Sequence, residues 1–237
     1  MIELHQFRRA WGLNPSPFCL KVETYCQLAG IPYKSVRTVP FKAPRGKLPF
    51  IVDGGQRIAD SGLIFDHFRS NPAWDLDAGL DARQQAMGHL LRRTCEESLY
   101  FTVVYSRWID EAGWTVVVPE FFRGMPAILR AVLPGRVRQK VRKQLYQQGY
   151  GRHSRDEVYA LGVADLAAIA TYLGDHVFAV TDRPTSFDAT VYALLKSIQG
   201  MPLDNPLKQA IQASPVLTDY VLRIERAIAA KGSENAQ

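Results

Sequence analysis

The amino-terminal quarter of the chain constrains the fold more than any other part. Two short apolar runs flank the turn sequence DGG within residues 49–59, and this pattern predicts a tight β-hairpin. Upstream, an apolar strand at residues 2–7 is followed by a helix and by a second strand at residues 31–39. Strands joined through a helix are expected to run parallel, whereas hairpin strands run antiparallel. The sequence therefore predicts a mixed four-stranded sheet with helices.

The remainder of the chain has a helical pattern. Residues 71–80 (NPAWDLDAGL) form a polar, turn-rich joint, and strand signals nearly vanish beyond it. Apolar periodicity predicts a long amphipathic helix over residues 81–110, and capping boxes predict helix starts at Ser154 and Thr185. Further helices are predicted at residues 205–213 and 215–230.

These patterns predict an α/β amino-terminal domain followed by an all-α carboxy-terminal domain. The predicted boundaries are residues 1–72 for the first domain, residues 80–231 for the second and residues 232–237 for a flexible tail.

Hydropathy and cysteine content indicate the cellular compartment in which the protein is expected. No stretch approaches about 18 consecutive uncharged apolar residues, and the chain begins as a strand rather than as a secretory leader. The three cysteines are odd in number and lack the paired spacing of disulfide frameworks or structural zinc sites. We therefore expect a soluble cytoplasmic protein with reduced thiols, no transmembrane segment and no metal.

The formal net charge of +6 is concentrated in residues 136–155. Such a run can attract nucleic acid or an anionic membrane surface, although charge runs more often form a solvated helix face. Aromatic residues do not interleave with the basic ones, and no nucleic-acid-binding motif accompanies them. We expect a solvated helix face and no nucleic-acid partner.

The stretch NPSPFCLKVE, residues 14–23, carries the first chemical signal. Ser16 is a favoured N-cap and Pro17 suits the first helical position. A helix that starts directly after the first strand presents free N–H groups and about +0.5 of an elementary charge, so it stabilises a thiolate or another anion. Ser16 is therefore either a simple helix cap or the residue that receives a sulfur carried by a ligand.

Two dipeptides supply a second signal. Leu48-Pro49 precedes the third strand, and X-Pro bonds are the ones with an appreciable cis population. A cis bond there turns the backbone of Leu48 outward, where it can pair with a peptide-like ligand. Asp60-Ser61 offers a carboxylate, a hydroxyl and a helix start, which together suit a zwitterionic amino-acid head group. Each dipeptide also has an ordinary structural explanation: Pro49 as the first residue of a strand, and Asp60-Ser61 as a helix cap.

Over nearly its whole length the chain resembles the cytosolic glutathione S-transferases. S-P-F-C, L-P and D-S occupy the positions that they have in that family's thioredoxin-like amino-terminal domain, which an all-helical domain follows. The phrases KAPRGKLPFI, GRHSRDEVYALG and DRPTSFDATVYALL are similar to a bacterial subgroup related to metaxin and failed-axon-connections proteins. The resemblance implies the glutathione S-transferase fold, glutathione as cosubstrate and a homodimer.

The resemblance also implies roles for individual residues. Ser16 matches the catalytic position, Leu48 the residue whose backbone binds the cysteinyl part of glutathione, and Pro49 the cis proline. Asp60 and Ser61 match the pair that holds the γ-glutamyl end. Thr185 and Asp188 match the family's carboxy-terminal N-capping box, which is a folding element and not a catalytic one. Lys47, next to the Leu-Pro pair, is also predicted to bind glutathione.

One segment departs from the family pattern. About ten residues, 40–49, separate the second strand from the third, too few for a full helix. That helix commonly contributes glutathione contacts. The short segment therefore keeps open a non-catalytic binding or assembly role, as in metaxin-like proteins.

The implied mechanism places the reactive sulfur on glutathione. Lowering the thiol pKa by about two units requires about 2.7 kcal/mol of thiolate stabilisation, which a hydroxyl hydrogen bond and a helix start can supply together. Ser16 then donates to the thiolate, which attacks a small hydrophobic electrophile. Candidate walls of the electrophile pocket are aromatic: Tyr100, Tyr105 and Trp108, with Trp114 and Phe122 as further candidates.

Cys19 is the rival centre. A free cysteine at this place is more often a small buried hydrophobe. An exposed Cys19 with a depressed pKa would instead support glutathione-dependent thiol reduction.

Overall fold

The computed structural model describes residues 1–174 and 176–234, and its amino-terminal part is a four-stranded mixed sheet. The strands are β1 (Ile2–Gln6), β2 (Tyr33–Arg37), β3 (Phe50–Asp53) and β4 (Gln56–Ala59). β1 pairs parallel with β2 and antiparallel with β3, while β3 and β4 form the antiparallel hairpin, so that the strand order is β2-β1-β3-β4. This confirms the predicted mixed sheet.

Two helices of the amino-terminal part begin at the predicted caps. Helix α1 (Pro17–Ala29) starts after Ser16 and ends at Gly30, whose left-handed φ of 67° closes the last turn. Helix α2 (Ser61–Arg69) starts after Asp60. Between β2 and β3 the chain makes only a short 3-10 turn, Pro40–Lys42, in agreement with the prediction that this segment holds no full helix.

The rest of the described chain is helical. The helices beyond the joint are α3 (Ala82–Arg93), α4 (Tyr100–Trp108), α5 (Glu111–Phe121), α6 (Ala127–Gln148), α7 (Arg155–Leu173), α8 (Ser186–Gln199), α9 (Pro206–Gln212) and α10 (Pro215–Glu234). Helix α1 packs against α8 and α10, so the carboxy-terminal helices support the helix whose N-cap is Ser16.

The helical part differs from the sequence expectation in three places. The helix predicted over residues 81–110 is interrupted by a π-helical segment, Thr94–Leu99, between α3 and α4. Helix α5 was not separately predicted, and Pro119 lies inside it. Helix α10 continues to Glu234 and so includes residues 232–234 of the predicted flexible tail, whereas residues 235–237 lie outside the described residues.

The capping boxes hold as predicted. Ser154 and Glu157 cap α7 reciprocally, and at the start of α8 the Asp188 carboxylate accepts the backbone N–H and the hydroxyl of Thr185. Most of α8 is buried, so its start is fixed within the core of the helical part. Within residues 1–174 and 176–234, the helices lack the combination of length and apolar character needed to cross a membrane.

Candidate functional site

A cleft of about 330 Å³ lies where the loop before β3 and the start of α2 face α3 and the π-helical segment. All five residues predicted to bind glutathione line this cleft. The complete lining consists of Phe18, Arg45, Lys47, Leu48, Pro49, Asp60, Ser61, Gly62, Arg92, Arg93, Glu96 and Glu97.

The loop before β3 forms one side of the cleft. The Leu48–Pro49 peptide bond is cis, as the resemblance implies. The Leu48 side chain is buried in a small apolar cluster with Cys19, Phe50 and Ala59. This packing holds the loop in place where it borders the cleft.

The start of α2 forms the adjacent side. Asp60 has a φ of 92° and its Oδ1 accepts the backbone N–H of Gly62 across 2.8 Å. A non-glycine residue rarely adopts such a φ, and residues held in this way cluster at ligand sites. The cap fixes Ser61 at the first helical position, where its side chain is buried and borders the cleft.

A buried ion pair lies beneath Ser61. The Lys21 side chain is 1% exposed, and its Nζ lies 2.5 Å from Glu96 Oε1 and 3.5 Å from Ser61 Oγ. Nζ also stands 4.4 Å above the Phe65 ring. Burial lowers the pKa of Lys21, and the neighbouring carboxylate of Glu96 opposes that effect. Lys21 therefore lies behind Ser61 in an ion pair in which Glu96 balances its charge, and it places a hydrogen-bond donor next to the Ser61 hydroxyl.

The opposite wall was not predicted from the sequence. It consists of Arg92 and Arg93 at the end of α3 and of Glu96 and Glu97 in the π-helical segment. Arg93 and Glu97 form an ion pair of 3.1 Å, while Arg92 Nε is buried without a hydrogen-bond partner among the described residues. π-Helical segments occur frequently at functional sites. The sequence signal for this wall is the pair of Arg and Glu residues at i,i+4 spacing.

Ser16 occupies the N-cap of α1 as predicted. Its Oγ accepts the backbone N–H of Cys19 at 3.4 Å, and its own N–H donates to Asn14 Oδ1 at 3.1 Å. Ser16 is half-buried. The first turn of α1 borders the cleft through Phe18, but Ser16 itself is not among the lining residues.

Cys19 does not have the properties of a reactive thiol. Its side chain is fully buried, and burial raises its pKa to about 12, against the weaker opposing effect of the Ser16 hydroxyl. The interpretation of Cys19 as an exposed, acidic thiol is therefore wrong, because the residue lies in the apolar cluster under the loop before β3.

The aromatic residues predicted for the electrophile pocket are dispersed. Tyr100 packs edge-on against Phe18 with a centroid distance of 4.8 Å, which places it behind the cleft wall. Tyr105 packs instead against Tyr159. The two tryptophans predicted for the pocket, Trp108 and Trp114, belong to a separate aromatic group with Phe121. Phe122, also proposed as a wall residue, is buried.

Two protein-family models match the chain. The family model described as "Glutathione S-transferase N-terminal domain" matches residues 17–113, and that described as "Glutathione S-transferase, C-terminal domain" matches residues 162–224. The first match includes the cleft, and the second includes α8.

Individual relatives include both enzymes and proteins with other names. Isoprene-epoxide–glutathione S-transferase of Rhodococcus sp. (strain AD45) is 32% identical over 235 residues, covering 95% of this chain and 98% of the relative. Metaxin-1 of Sus scrofa is 29% identical, covering 88% of this chain and 69% of the relative. The solved structure of β-etherase LigF from Sphingobium sp. strain SYK-6 shares the fold, with a TM-score of 0.67, 14% identity and coverage of 98% and 99%. The chain belongs to the glutathione S-transferase family.

Proposed function

We propose that the protein is a glutathione transferase that activates the glutathione thiol for attack on a small electrophile. The observation that carries the proposal is the convergence of Lys47, Leu48, Pro49, Asp60 and Ser61, from two separate segments, on one polar cleft. A tripeptide with two carboxylates and one ammonium needs donors and acceptors at both ends. The cleft supplies cationic and anionic side chains on both walls.

The γ-glutamyl end of glutathione is assigned to the start of α2. Ser61 and the free N–H groups there suit its carboxylate, and Asp60 suits its ammonium. The Nζ of Lys21 lies 3.5 Å from Ser61 Oγ and so places a hydrogen-bond donor behind that hydroxyl. Arg45 and Lys47 suit the glycyl carboxylate, and the Leu48 backbone suits the cysteinyl amide.

The chemical step is assigned to the start of α1. The glutathione thiol loses its proton to solvent water, and Ser16 with the helix N-terminus stabilises the thiolate. The sulfur then forms a bond to an electrophilic carbon while the bond from that carbon to its leaving atom breaks. With an epoxide, the substrate class in the name of the Rhodococcus relative, the released alkoxide takes up a proton.

Calorimetry and a conjugation assay test the proposal together. We expect saturable heat on titration with glutathione and formation of thioether from glutathione and a small epoxide. Ser16→Ala should lower the rate of conjugation about 10²-fold or more with little loss of glutathione affinity. Cys19→Ala should retain the wild-type rate of conjugation. Ser16→Thr keeps the hydroxyl and should restore part of the rate. Equal conjugation by the wild type and Ser16→Ala contradicts the assigned role of Ser16.

A non-catalytic binding role is the second candidate. The 3-10 turn at Pro40–Lys42 replaces a helix that commonly contacts glutathione in this family, and metaxin-1 is among the relatives. Absence of heat at millimolar glutathione, with a folded protein, favours this role over the enzyme.

The proposal includes a cytoplasmic homodimer. Light scattering on the purified full chain tests the stoichiometry, and a monomer at micromolar concentration contradicts it. Cell fractionation tests the location.

A further inference from the structure

Arg107 of α4 is a buried cation without a carboxylate partner among the residues that the structure describes. It is 5% exposed. Its Nη1 donates to the Pro15 carbonyl across 2.6 Å, and its Nη2 donates to the Ser197 carbonyl of α8 across 2.7 Å. Its Nε is buried and has no hydrogen-bond partner within residues 1–174 and 176–234, and no carboxylate there forms an ion pair with it.

An uncompensated buried charge is costly. Removing an ion from water is unfavourable, and proteins ordinarily offset that cost with an opposite charge nearby. The titratable group that acts on Arg107 is the Tyr100 phenol of the same helix, which in turn faces the Cys19 thiol of α1. Burial raises the pKa of both Tyr100 and Cys19, so both are neutral near pH 7 and leave the charge of Arg107 unbalanced.

The buried charge of Arg107 lies at the start of α1. Pro15 immediately precedes Ser16, so the guanidinium holds the carbonyl next to the N-cap of α1. On the basis of the proposed function, we infer that Arg107 is a positioning residue for sulfur activation, which fixes Ser16 and adds its charge to the positive end of α1. The thiolate of bound glutathione then supplies the missing anion.

The test is the pKa of bound glutathione, measured from the ultraviolet absorbance of the thiolate in the holo-protein as pH is varied. Arg107→Gln should raise that pKa by about one unit, which lowers conjugation about tenfold at acidic pH and much less at alkaline pH. Arg107→Lys keeps the charge and should give an intermediate pKa, and it remains informative if Arg107→Gln does not fold.

Arg138 provides the matched control. It also donates to two backbone carbonyls, those of Trp108 and Ile109, but Glu111 neutralises it. Arg138→Gln should lower the melting temperature without changing the thiol pKa. Equal thiol pKa values in Arg107→Gln, Arg107→Lys and the wild type overturn the inference about Arg107 but leave the proposed function intact. Absence of a thiolate signal in the wild type overturns the proposed function as well.

A second, independent observation concerns the charge of α6 and its flanks. Residues 121–155 contain nine Lys or Arg residues and no Asp or Glu. Three of these cations pair with carboxylates outside the segment: Arg123, Arg138 and Arg155. Arg136, Lys140 and Lys143 are without an ion-pair partner in the part of the chain that the structure describes, so α6 exposes a row of unbalanced positive charge.

The same helix exposes apolar side chains at its start. Ile128 is 81% exposed, Leu129 52% and Val132 47%. Intervals of three and four residues place side chains on one face of a helix. One ridge of α6, defined by Ile128, Val132, Arg136, Lys140 and Lys143, is therefore apolar in its first turns and cationic farther on.

The geometry points to an anionic phospholipid bilayer as the partner of the α6 ridge. Exposed aliphatic side chains beside Lys and Arg suit the boundary between acyl chains and acidic headgroups. Nucleic acid fits less well, because a phosphate backbone offers nothing to Ile128 and Val132. A second copy of the same ridge fits less well too, because like charges would face each other.

Vesicle sedimentation with the full chain tests this surface. Vesicles of phosphatidylcholine with phosphatidylserine should bind the protein at least tenfold more tightly than phosphatidylcholine alone, and added salt should weaken the binding. The variants Ile128→Ser/Val132→Ser and Arg136→Gln/Lys140→Gln/Lys143→Gln should each reduce binding at least fivefold. Arg138→Gln, which removes a cation paired with Glu111, should reduce it much less.

Three results would overturn the proposed partner. Equal binding to both kinds of vesicle excludes recognition of acidic lipid. Retention on duplex DNA without vesicle binding assigns the ridge to nucleic acid. Loss of a homodimer in Ile128→Ser/Val132→Ser, with unchanged vesicle binding, assigns it to self-association.

Discussion

The Tyr220 hydroxyl donates a hydrogen bond to Asp188 Oδ1 across 2.7 Å, and both side chains are buried. The same carboxylate accepts the backbone N–H groups of Ala179 and Thr185 and the Thr185 hydroxyl. The residue that caps α8 is therefore held by α10 as well. Since α8 and α10 both pack against α1, this contact helps to fix the helix that carries the candidate sulfur site.

Tyr220→Phe should lower the free energy of unfolding by about 1–3 kcal/mol, because the buried carboxylate loses one donor while the ring is retained. Urea unfolding measures the change. Tyr146 is 57% exposed, so Tyr146→Phe is the control and should stay within about 0.5 kcal/mol of the wild type. Equal midpoints for the two variants contradict the prediction.

Removing one partner of the Lys21–Glu96 pair should be strongly destabilising. Lys21→Met leaves Glu96, which is mostly buried, without its cation, and we expect a loss of about 3–5 kcal/mol. The double variant Lys21→Met/Glu96→Gln should be more stable than the sum of the single losses implies, because neither charge is then left unpaired. Additive losses in urea unfolding would show that the pair is not coupled.

The pH dependence of stability should report the buried thiol of Cys19. Its pKa is raised from 9.0 to about 12, so the native state keeps the proton that the unfolded state loses. The stabilising contribution is therefore complete below pH 9 and falls as pH rises, by about 1.4 kcal/mol per pH unit. Urea unfolding between pH 9 and pH 11 should show a shallower decline for Cys19→Ala than for the wild type. Parallel declines contradict the assignment.

Two helical glycines should respond oppositely to a methyl group. A Cβ at Gly113 would lie 1.7 Å from the Ser106 carbonyl oxygen, so Gly113→Ala must displace α5 from α4 and should cost about 3 kcal/mol or more. The position of Gly135 in α6 is open, so Gly135→Ala should gain about 0.5–1 kcal/mol from helix propensity. Thermal melts of the two variants check the contrast, and a shift of the same sign in both would contradict it.

Local sequence signals predicted most of the elements correctly. The caps at Ser16, Asp60, Ser154 and Thr185 start helices where they were expected, because capping depends on side chains close to the helix start. The DGG turn produced the hairpin for the same reason. The sequence pattern misses the break between α3 and α4, because apolar residues continue at four-residue spacing through it: Leu91, Cys95, Leu99 and Val103.

The sequence by itself determined the mixed sheet, the helix caps and one side of the cleft, because each depends on short-range chemistry or on a recognisable motif. Only the tertiary structure decided which distant residues complete the cleft. Lys21 and Glu96 meet across 75 positions of sequence, and Arg107 reaches the Pro15 carbonyl across 92. Burial is likewise a property of the folded chain, and it made Cys19 an inert core thiol while it left Arg107 charged beside the candidate sulfur site.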